Sequence, residues 1–254
     1  MELRNVERFS SKADIYKKFR PSYPKELINY LYSQVGFSHD SEIADIGSGT
    51  GIFSRLLLEK GSHVYCVEPN ADMRTIAENE LNVFSGFSSI SAPAENTGLQ
   101  TKSIDFITVA TAFHWFDRQL FKSECRRILV NNGTVVLVWN MRDDKSEIVL
   151  KEHEIRMKYL IGRKSERINS GESEDCLNFF ADNIYECNSF RNDLSLDRDI
   201  YIGWNMSSSF APSEEKDPDK HHALKHDLNV LYDEYCADGM LIYPHVTKCY
   251  TGKV

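Results

Sequence analysis

The segment Asp45-Ile46-Gly47-Ser48-Gly49-Thr50-Gly51 joins an acid to three glycines at alternate positions. The apolar run Glu42–Ile46 before the glycines reads as a strand. Ile52–Lys60 reads as a helix, with Phe53, Leu56 and Leu57 at helical spacing and Gly61 as its stop. A strand that turns tightly into a helix presents unpaired N–H groups. Glycines there admit positive φ and let a ligand approach the backbone without Cβ interference. In nucleotide sites this geometry cradles phosphate. Two details separate this loop from a dinucleotide fingerprint. Ile52 stands where the third glycine of that fingerprint would fall. Asp45 would sit poorly beside a pyrophosphate and suits a ligand bearing an ammonium group. Glu68, followed by Pro69, ends the next apolar run, His63–Val67. It lies at about the distance from the glycines where an acid binds ribose hydroxyls in open α/β folds. A carboxylate can accept from both hydroxyls, which selects an intact ribose.

Further residues fall near the ends of later strands, where ligands bind in open α/β sheets. His114 follows the strand Ile104–Ala110. It is either a base, a group that orients an acceptor, or a structural hydrogen-bonded histidine. Trp115 and Phe116 either wall a pocket or pack under the following helix. Trp139, Asn140 and Arg142 stand at the end of the next apolar run, and Arg142 suits a substrate carboxylate. Trp204 and Ser207–Ser209 either line a cap over the substrate or form an exposed polar loop. His221, His222 and His226 share helical spacing without another evident ligand. They read as a solvated helix face, and no metal site is expected.

The elements that would position these groups alternate strand with helix. Asn70 is a plausible N-cap for a helix through Glu80. Arg118–Leu129 is helical, and an Asn131-Asn132-Gly133 turn leads into Thr134–Trp139, a strand buried on both faces. This alternation indicates a parallel sheet covered by helices. After Asn140 the pattern changes. Ser146–Leu160 is a charged amphipathic helix, Lys164–Asp175 a polar connector and His221–Tyr235 a further helix. Tyr185–Leu196 and Met240–Tyr250 are β-like. One domain over 1–254 is expected, with a cofactor-binding core at about 40–140. Insertions at about 141–183 and 198–238 are the candidate cap.

Composition narrows the partners. The chain has 254 residues, 41% hydrophobic and 27% charged, with a formal net charge of −8. That length buries a sizeable core without staples. The acidic balance weighs against a nucleic-acid backbone, which needs clustered Lys and Arg. The 6 cysteines lack any CxxC pair, so reduced structural thiols are expected. The N-terminal residues lack an apolar signal-peptide core, and no run approaches the ~18 apolar residues that span a bilayer. A cytoplasmic protein without membrane contact is expected. The oligomeric state is left open.

Taken together, Asp45–Gly51 resembles the first motif of class I S-adenosylmethionine (SAM)-dependent methyltransferases, and Val64–Pro69 the segment that follows it. Ala92–Asn96 resembles the adenine-edge loop, Ile104–Phe116 the fourth-strand motif, and Arg127–Trp139 the fifth strand with its preceding turn. The order of these motifs covers most of residues 9–140. The branch is most similar to trans-aconitate-methyltransferase-like small-molecule enzymes, through Tyr16-x-x-x-Arg20-Pro21-x-Tyr23-Pro24 and His114-Trp115-Phe116. Asn132 departs from the family's usual glycine, and the turn should survive because Asn tolerates left-handed backbone.

The resemblance implies a Rossmann-like α/β fold. Its seven-stranded sheet is mostly parallel with the last strand antiparallel, and Tyr185–Leu196 and Met240–Tyr250 are candidates for the final two strands. It further implies that SAM is held by the backbone near Gly47, Ser48, Gly49 and Gly51, with Asp45 beside it. Glu68 and Pro69 would flank the ribose, Met73, Ala94 and Glu95 the adenine, and Thr111 would lie beneath. Arg20 would pair with the cofactor carboxylate and Tyr16 close over it. The expected activity is methyl transfer to a small-molecule acceptor. The competing readings are a macromolecular methyltransferase and a SAM-binding regulator without turnover.

Overall fold

The computed structural model describes residues 21–159, 178–208 and 211–254. Tyr16, Arg20 and the connector 164–175 lie outside the described residues. Helix α1 (Lys25–Tyr30) continues as a π-helical turn and leads to β1 (Glu42–Ile46). There follow α2 (Ile52–Leu58), β2 (His63–Val67), α3 (Ala71–Leu81), β3 (Phe87–Ile90) and β4 (Ile104–Ala110). A 3-10 turn at Phe113–Trp115 precedes α4 (Arg118–Ile128), β5 (Leu129–Arg142) and α5 (Glu147–Lys158). The chain continues with β6 (Tyr185–Arg191), β7 (Leu194–Leu196), α6 (Arg198–Met206) and α7 (Pro218–Tyr235). It closes with β8 (Leu241–Tyr243) and β9 (His245–Gly252).

Local chemistry sets many of these boundaries. Asn70 caps α3 by accepting from the Met73 amide at 2.9 Å, and Asp117 caps α4 through the amides of Gln119 and Leu120. Asp197 caps α6 through Ile200, and Asp217 precedes Pro218 at the start of α7. Such caps satisfy amides that the helix itself leaves unpaired. Val135–Val138 are fully buried, as an inner strand covered on both faces requires.

The main sheet has seven strands in the order β3-β2-β1-β4-β5-β9-β6. It is mostly parallel with one antiparallel strand. The pairs β1–β2, β2–β3, β1–β4 and β4–β5 are all parallel. From β1 the chain winds outward through β2 and β3, then returns to place β4 on β1's other side. The strand order therefore reverses between β1 and β4. Such a switch point opens a crevice at the strands' C-terminal ends.

Four local expectations are corrected. Tyr185–Leu196 is two strands, and only β6 joins the main sheet, while β7 pairs antiparallel with β8 in a separate two-stranded sheet. Met240–Tyr250 likewise divides into β8 and β9 at Pro244, which has no N–H to continue a ladder. Asn132 does not adopt a left-handed conformation. The expected turn is instead an irregularity inside β5, where the partner advances from Leu129 opposite Ile104 to Thr134 opposite Phe106. The Asn132 and Gly133 carbonyls there accept from Lys253 Nζ. Strand β3 escaped sequence reading because Ser88 and Ser89 break its apolar run, as an edge position tolerates.

Two compact units emerge. The first contains described residues 21–140, 178–190 and 247–254, and the second 141–159, 191–208 and 211–246. The expected cap limits therefore shift: 178–183 belongs to the first unit, while 191–197 and 239–246 join the second through β7 and β8. In the first unit Leu27, Leu31, Ile43, Phe53, Leu57 and Val136 anchor the core. In the second, Ile148, Tyr201, Leu224, Leu228, Tyr232 and Tyr243 do so.

Gly51 shows how tightly the glycine loop is packed. Its φ is +80°, and a Cβ there would lie 2.5 Å from Leu81 Cδ1. Gly98 has φ +75° but nothing within 4 Å. Gly51→Ala should lose about 2–4 kcal/mol from backbone strain plus overpacking, and Gly98→Ala about 1–2 kcal/mol from strain alone. Urea unfolding of both variants measures the difference, and equal losses would show that the Leu81 contact costs nothing.

Candidate functional site

The site is assembled at the switch point, from the ends of β1, β2 and β4. Asp45, on β1, is 1% exposed and faces inward. Its Oδ2 accepts from Ser54 Oγ of α2 at 2.5 Å, and its Oδ1 from Thr108 Oγ1 of β4 at 2.8 Å. The carboxylate therefore ties the strand before the glycine loop to the helix after it and to the strand beside it. The ammonium-binding role expected of Asp45 is not what this geometry provides, since the carboxylate is almost wholly removed from the surface and turned to the Ser54 and Thr108 hydroxyls.

The glycine loop carries its own bonding. Gly47 and Ser48 amides donate to the Val67 carbonyl at 2.8 and 3.2 Å, and the Gly51 amide donates to the Ser48 carbonyl at 3.0 Å. The Gly49 amide donates to Glu68 Oε2 at 3.0 Å. These four amides are spent inside the protein, so the loop is not a phosphate nest of the kind that its glycines first suggest. Gly47 and Gly49 have φ of +68° and +58°. A Cβ on Gly47 would come within 2.7 Å of Ala112 Cβ and 3.1 Å of Phe116, so only glycine fits there.

Glu68 directly follows the C-terminal end of β2 and is 7% exposed. Its Oε1 accepts from the Asn70 amide at 2.8 Å. Its carboxyl is held above the usual glutamate range, mainly by burial, against the amides of Asn70 and Gly49 and the charge of Arg74. One protein amide on each oxygen leaves acceptor capacity on both, which suits a pair of ligand hydroxyls. Pro69 is half-buried beside it. Met73 is buried on the first turn of α3, its sulfur 3.8 Å from where a Gly49 Cβ would stand. Ala94 is buried, and Glu95 Oε1 accepts from the Asp117 amide at 2.8 Å.

Thr111, just past β4, has φ +56°. A β-branched residue in that region is strained, and such strain clusters at functional sites. Its amide donates to the Val138 carbonyl at 2.8 Å, and its hydroxyl lies 3.3 Å from Tyr23 Oη. Tyr23 belongs to the segment that ends at Pro24. It packs edge-on to Phe53 at 4.9 Å and lines a narrow cleft of about 20 Å³ with Pro21, Gly47, Ser48, Thr50, Ile52, Phe53 and Ala110. Asn140 donates to the Pro21 and Ser22 carbonyls at 3.2 Å and accepts from Thr247.

His114 is exposed on the 3-10 turn, 4.9 Å from the half-buried Trp115 ring. Trp139 is corrected as a substrate residue. It is 2% exposed and packs edge-on between Phe113 and Tyr250, because its strand is covered on both faces. Arg142 and Trp204 lie in the second unit, Trp204 on α6 and not on a loop. Arg142 Nε is 3.2 Å from both Glu152 Oε1 and Tyr243 Oη, and its guanidinium sits 4.6 Å over the Trp204 ring. His245, in the same unit, is held neutral: burial and then the Arg142 charge push its pKa down to about 3. His221 and His222 ring nitrogens lie 3.0 and 2.7 Å from the carbonyls of Pro212 and Pro218.

Burial pushes the Asp45 carboxyl up to about 6, with the Ser54 and Thr108 hydroxyls opposing and the Glu68 charge adding to the rise. The folded protein therefore binds this proton more tightly than the unfolded chain, whose ordinary value is 3.8. Stability contributed by this group falls as pH rises from about 4 to 6 and is flat on either side. The loss should be on the order of 3 kcal/mol. Asp45→Asn should lack that slope in denaturant unfolding measured from pH 4 to 7. An identical slope in the variant would place the titration elsewhere.

Residues 44–137 match the family model described as a methyltransferase domain. The chain is 33% identical over 137 residues to an uncharacterised methyltransferase of Mycobacterium bovis, covering 54% of each. It thus spans about half the length of the curated relatives it matches. A candidate type II methyltransferase of Anaeromyxobacter dehalogenans shares the fold at TM-score 0.68 and 23% identity, over 92% of this chain and 98% of that one. Phosphoethanolamine N-methyltransferase 2 of Haemonchus contortus, solved with phosphomonomethylethanolamine and S-adenosylhomocysteine, superposes at TM-score 0.55 and 13% identity. That likeness covers 99% of this chain and 59% of the other. The fold is therefore the Rossmann-like fold of class I methyltransferases, and the segment holding the glycine loop and Glu68 is the one that matches a methyltransferase domain.

Proposed function

We propose that this chain transfers a methyl group from SAM to a small-molecule acceptor. The observation that carries the proposal is how the loop's polar groups are spent. Four amides are committed internally, so the loop offers little to a phosphate. Glu68 presents acceptors and negative charge instead. A ligand with ribose hydroxyls and positive ammonium and sulfonium centres fits that set, and a pyrophosphate does not. The methyltransferase-domain match over 44–137 points the same way.

On this reading Glu68, with Pro69 beside it, holds the ribose. The Gly47–Gly51 backbone, including Ser48, holds the methionine portion. Met73, Ala94 and Glu95 face the adenine, and Thr111 supports the ligand from the end of β4. SAM supplies the electrophilic methyl and its own leaving group. What remains for the protein is to align an acceptor at ~3 Å, exclude water, and remove a proton where the acceptor carries one. His114 is the side chain assigned to orient the acceptor or take that proton, with Trp115 next to it. In the second unit Arg142, held by Glu152 and stacked on Trp204, is the group suited to an anionic acceptor. The trans-aconitate-like branch rests on the Tyr16–Pro24 segment and the His114–Phe116 triplet.

A cytoplasmic setting is part of the proposal. The described cysteines are free thiols, with Cys66, Cys125 and Cys249 buried. Among the described residues no helix is long and apolar enough to cross a membrane.

Calorimetry should detect SAM and S-adenosylhomocysteine but not NAD at similar concentration. Glu68→Ala should weaken SAM by about 1.5–3 kcal/mol, the range for charge-assisted hydrogen bonds, with the fold retained. Because the Glu68 carboxyl is held above its ordinary range, wild-type affinity should begin to fall on acidification at a higher pH than a solvated glutamate would give. Unchanged affinity in folded Glu68→Ala would remove this residue from the site.

For an acceptor that loses a proton during transfer, His114→Ala should lower turnover by roughly 10²–10⁴-fold with SAM affinity nearly intact. The wild-type pH–rate profile should then show an acidic limb that the variant lacks. Full turnover with the same limb in the variant would return His114 to a structural role.

A further inference from the structure

Helix α4 carries Arg118, Lys122 and Arg126 at four-residue spacing, which aligns them along one face. At 1.5 Å rise per residue the row is ~12 Å long. With Gln119, Asn178 and Phe179 it lines a groove of about 450 Å³, wholly within the first unit. Like charges at this spacing repel one another and destabilise a helix. The helix's acid, Glu124, does not offset Lys122 or Arg126: it is buried and bonded to Arg127 and Thr97. Among the described residues no carboxylate lies within ion-pair distance of Lys122 or Arg126. The Lys122 ammonium sits 5.8 Å over the Phe179 ring. Burial and the Arg126 charge pull its pKa below the usual lysine value, against the weaker pull of Asp182. Arg118 lies 5.9 Å over the Phe113 ring.

We propose that this groove binds a compact polyanion carrying two or more phosphoryl groups. Lys122 and Arg126, ~6 Å apart along the helix, can engage two phosphoryl groups of one ligand at once, which a single carboxylate does not offer. The chain's net charge of −8 argues for a compact ligand. A nucleic-acid strand would extend beyond the groove along a chain of net negative charge, which opposes its binding. The groove shares no residue with the cleft at the glycine loop, so the proposal stands independently of methyl transfer.

Inorganic triphosphate is the probe, titrated calorimetrically into the full chain at low salt. Submillimolar binding that weakens steeply with added salt is expected. Lys122→Glu combined with Arg126→Glu should weaken it by more than about tenfold, while Lys122→Arg combined with Arg126→Lys should retain it. Circular dichroism checks folding, and single Lys122→Gln and Arg126→Gln variants replace the double variant should it unfold, each still weakening binding. No binding at millimolar triphosphate, or binding unaffected by these changes, overturns the proposal. A single-stranded oligonucleotide that binds more tightly than triphosphate and responds to the same variants overturns it in favour of a nucleic-acid site.

Discussion

Asp45 is a carboxylate buried at the point where the strand order reverses, and the rest of the site depends on how its charge is satisfied. Ser54 and Thr108 donate to its two oxygens, one from the helix that follows the glycine loop and one from the strand next door. A buried acid without such donors would be strongly unfavourable. With them it becomes a three-way tie between β1, α2 and β4. The loop between β1 and α2 is held at both ends by this single group. The Gly47–Gly51 backbone thus meets Glu68 in one arrangement.

Steric constraint then completes what the charge begins. Gly47 lies too close to Ala112 and Phe116 for a side chain, and Gly51 too close to Leu81. The loop is therefore packed on both flanks while its amides are committed to Val67, Ser48 and Glu68. This combination spends the donors of a motif that in other settings offers them to a ligand. The same glycines can serve a phosphate or a cation, and the destination of the N–H groups makes the choice.

The second unit follows a parallel logic with a different centre. Glu152 is fully buried on α5 and gathers Arg142 and Asn205 around it. Arg142 is stacked on Trp204 and bonded to Tyr243, so its planar guanidinium is held in one orientation. Its charge helps to keep His245 neutral. The cation is thus fixed in place beside a neutral imidazole, whereas a pair of free surface side chains would carry little orientation.

Residues close in sequence could be read without the structure. The strand–loop–helix order around Gly47–Gly51, the Asn70 cap and the position of Glu68 at a strand end all follow from local periodicity and capping chemistry. The parallel character of the sheet followed from apolar strands alternating with amphipathic helices. Partners distant in sequence were not legible. Asp45 and Thr108 are 63 residues apart, and Asn140 and Thr247 are 107 apart. Which of these polar groups meet is decided by strand neighbours that periodicity does not encode. The unbroken strands inferred at 185–196 and 240–250 failed for that reason, and the hydroxyls around Asp45 and the rings around Trp139 were not legible for the same reason. Each depended on which face of which sheet the segment joined. The sequence by itself determined the elements and the residue types at their ends. The tertiary structure decided which donors each acid would meet, because a buried polar group takes its role from its neighbours.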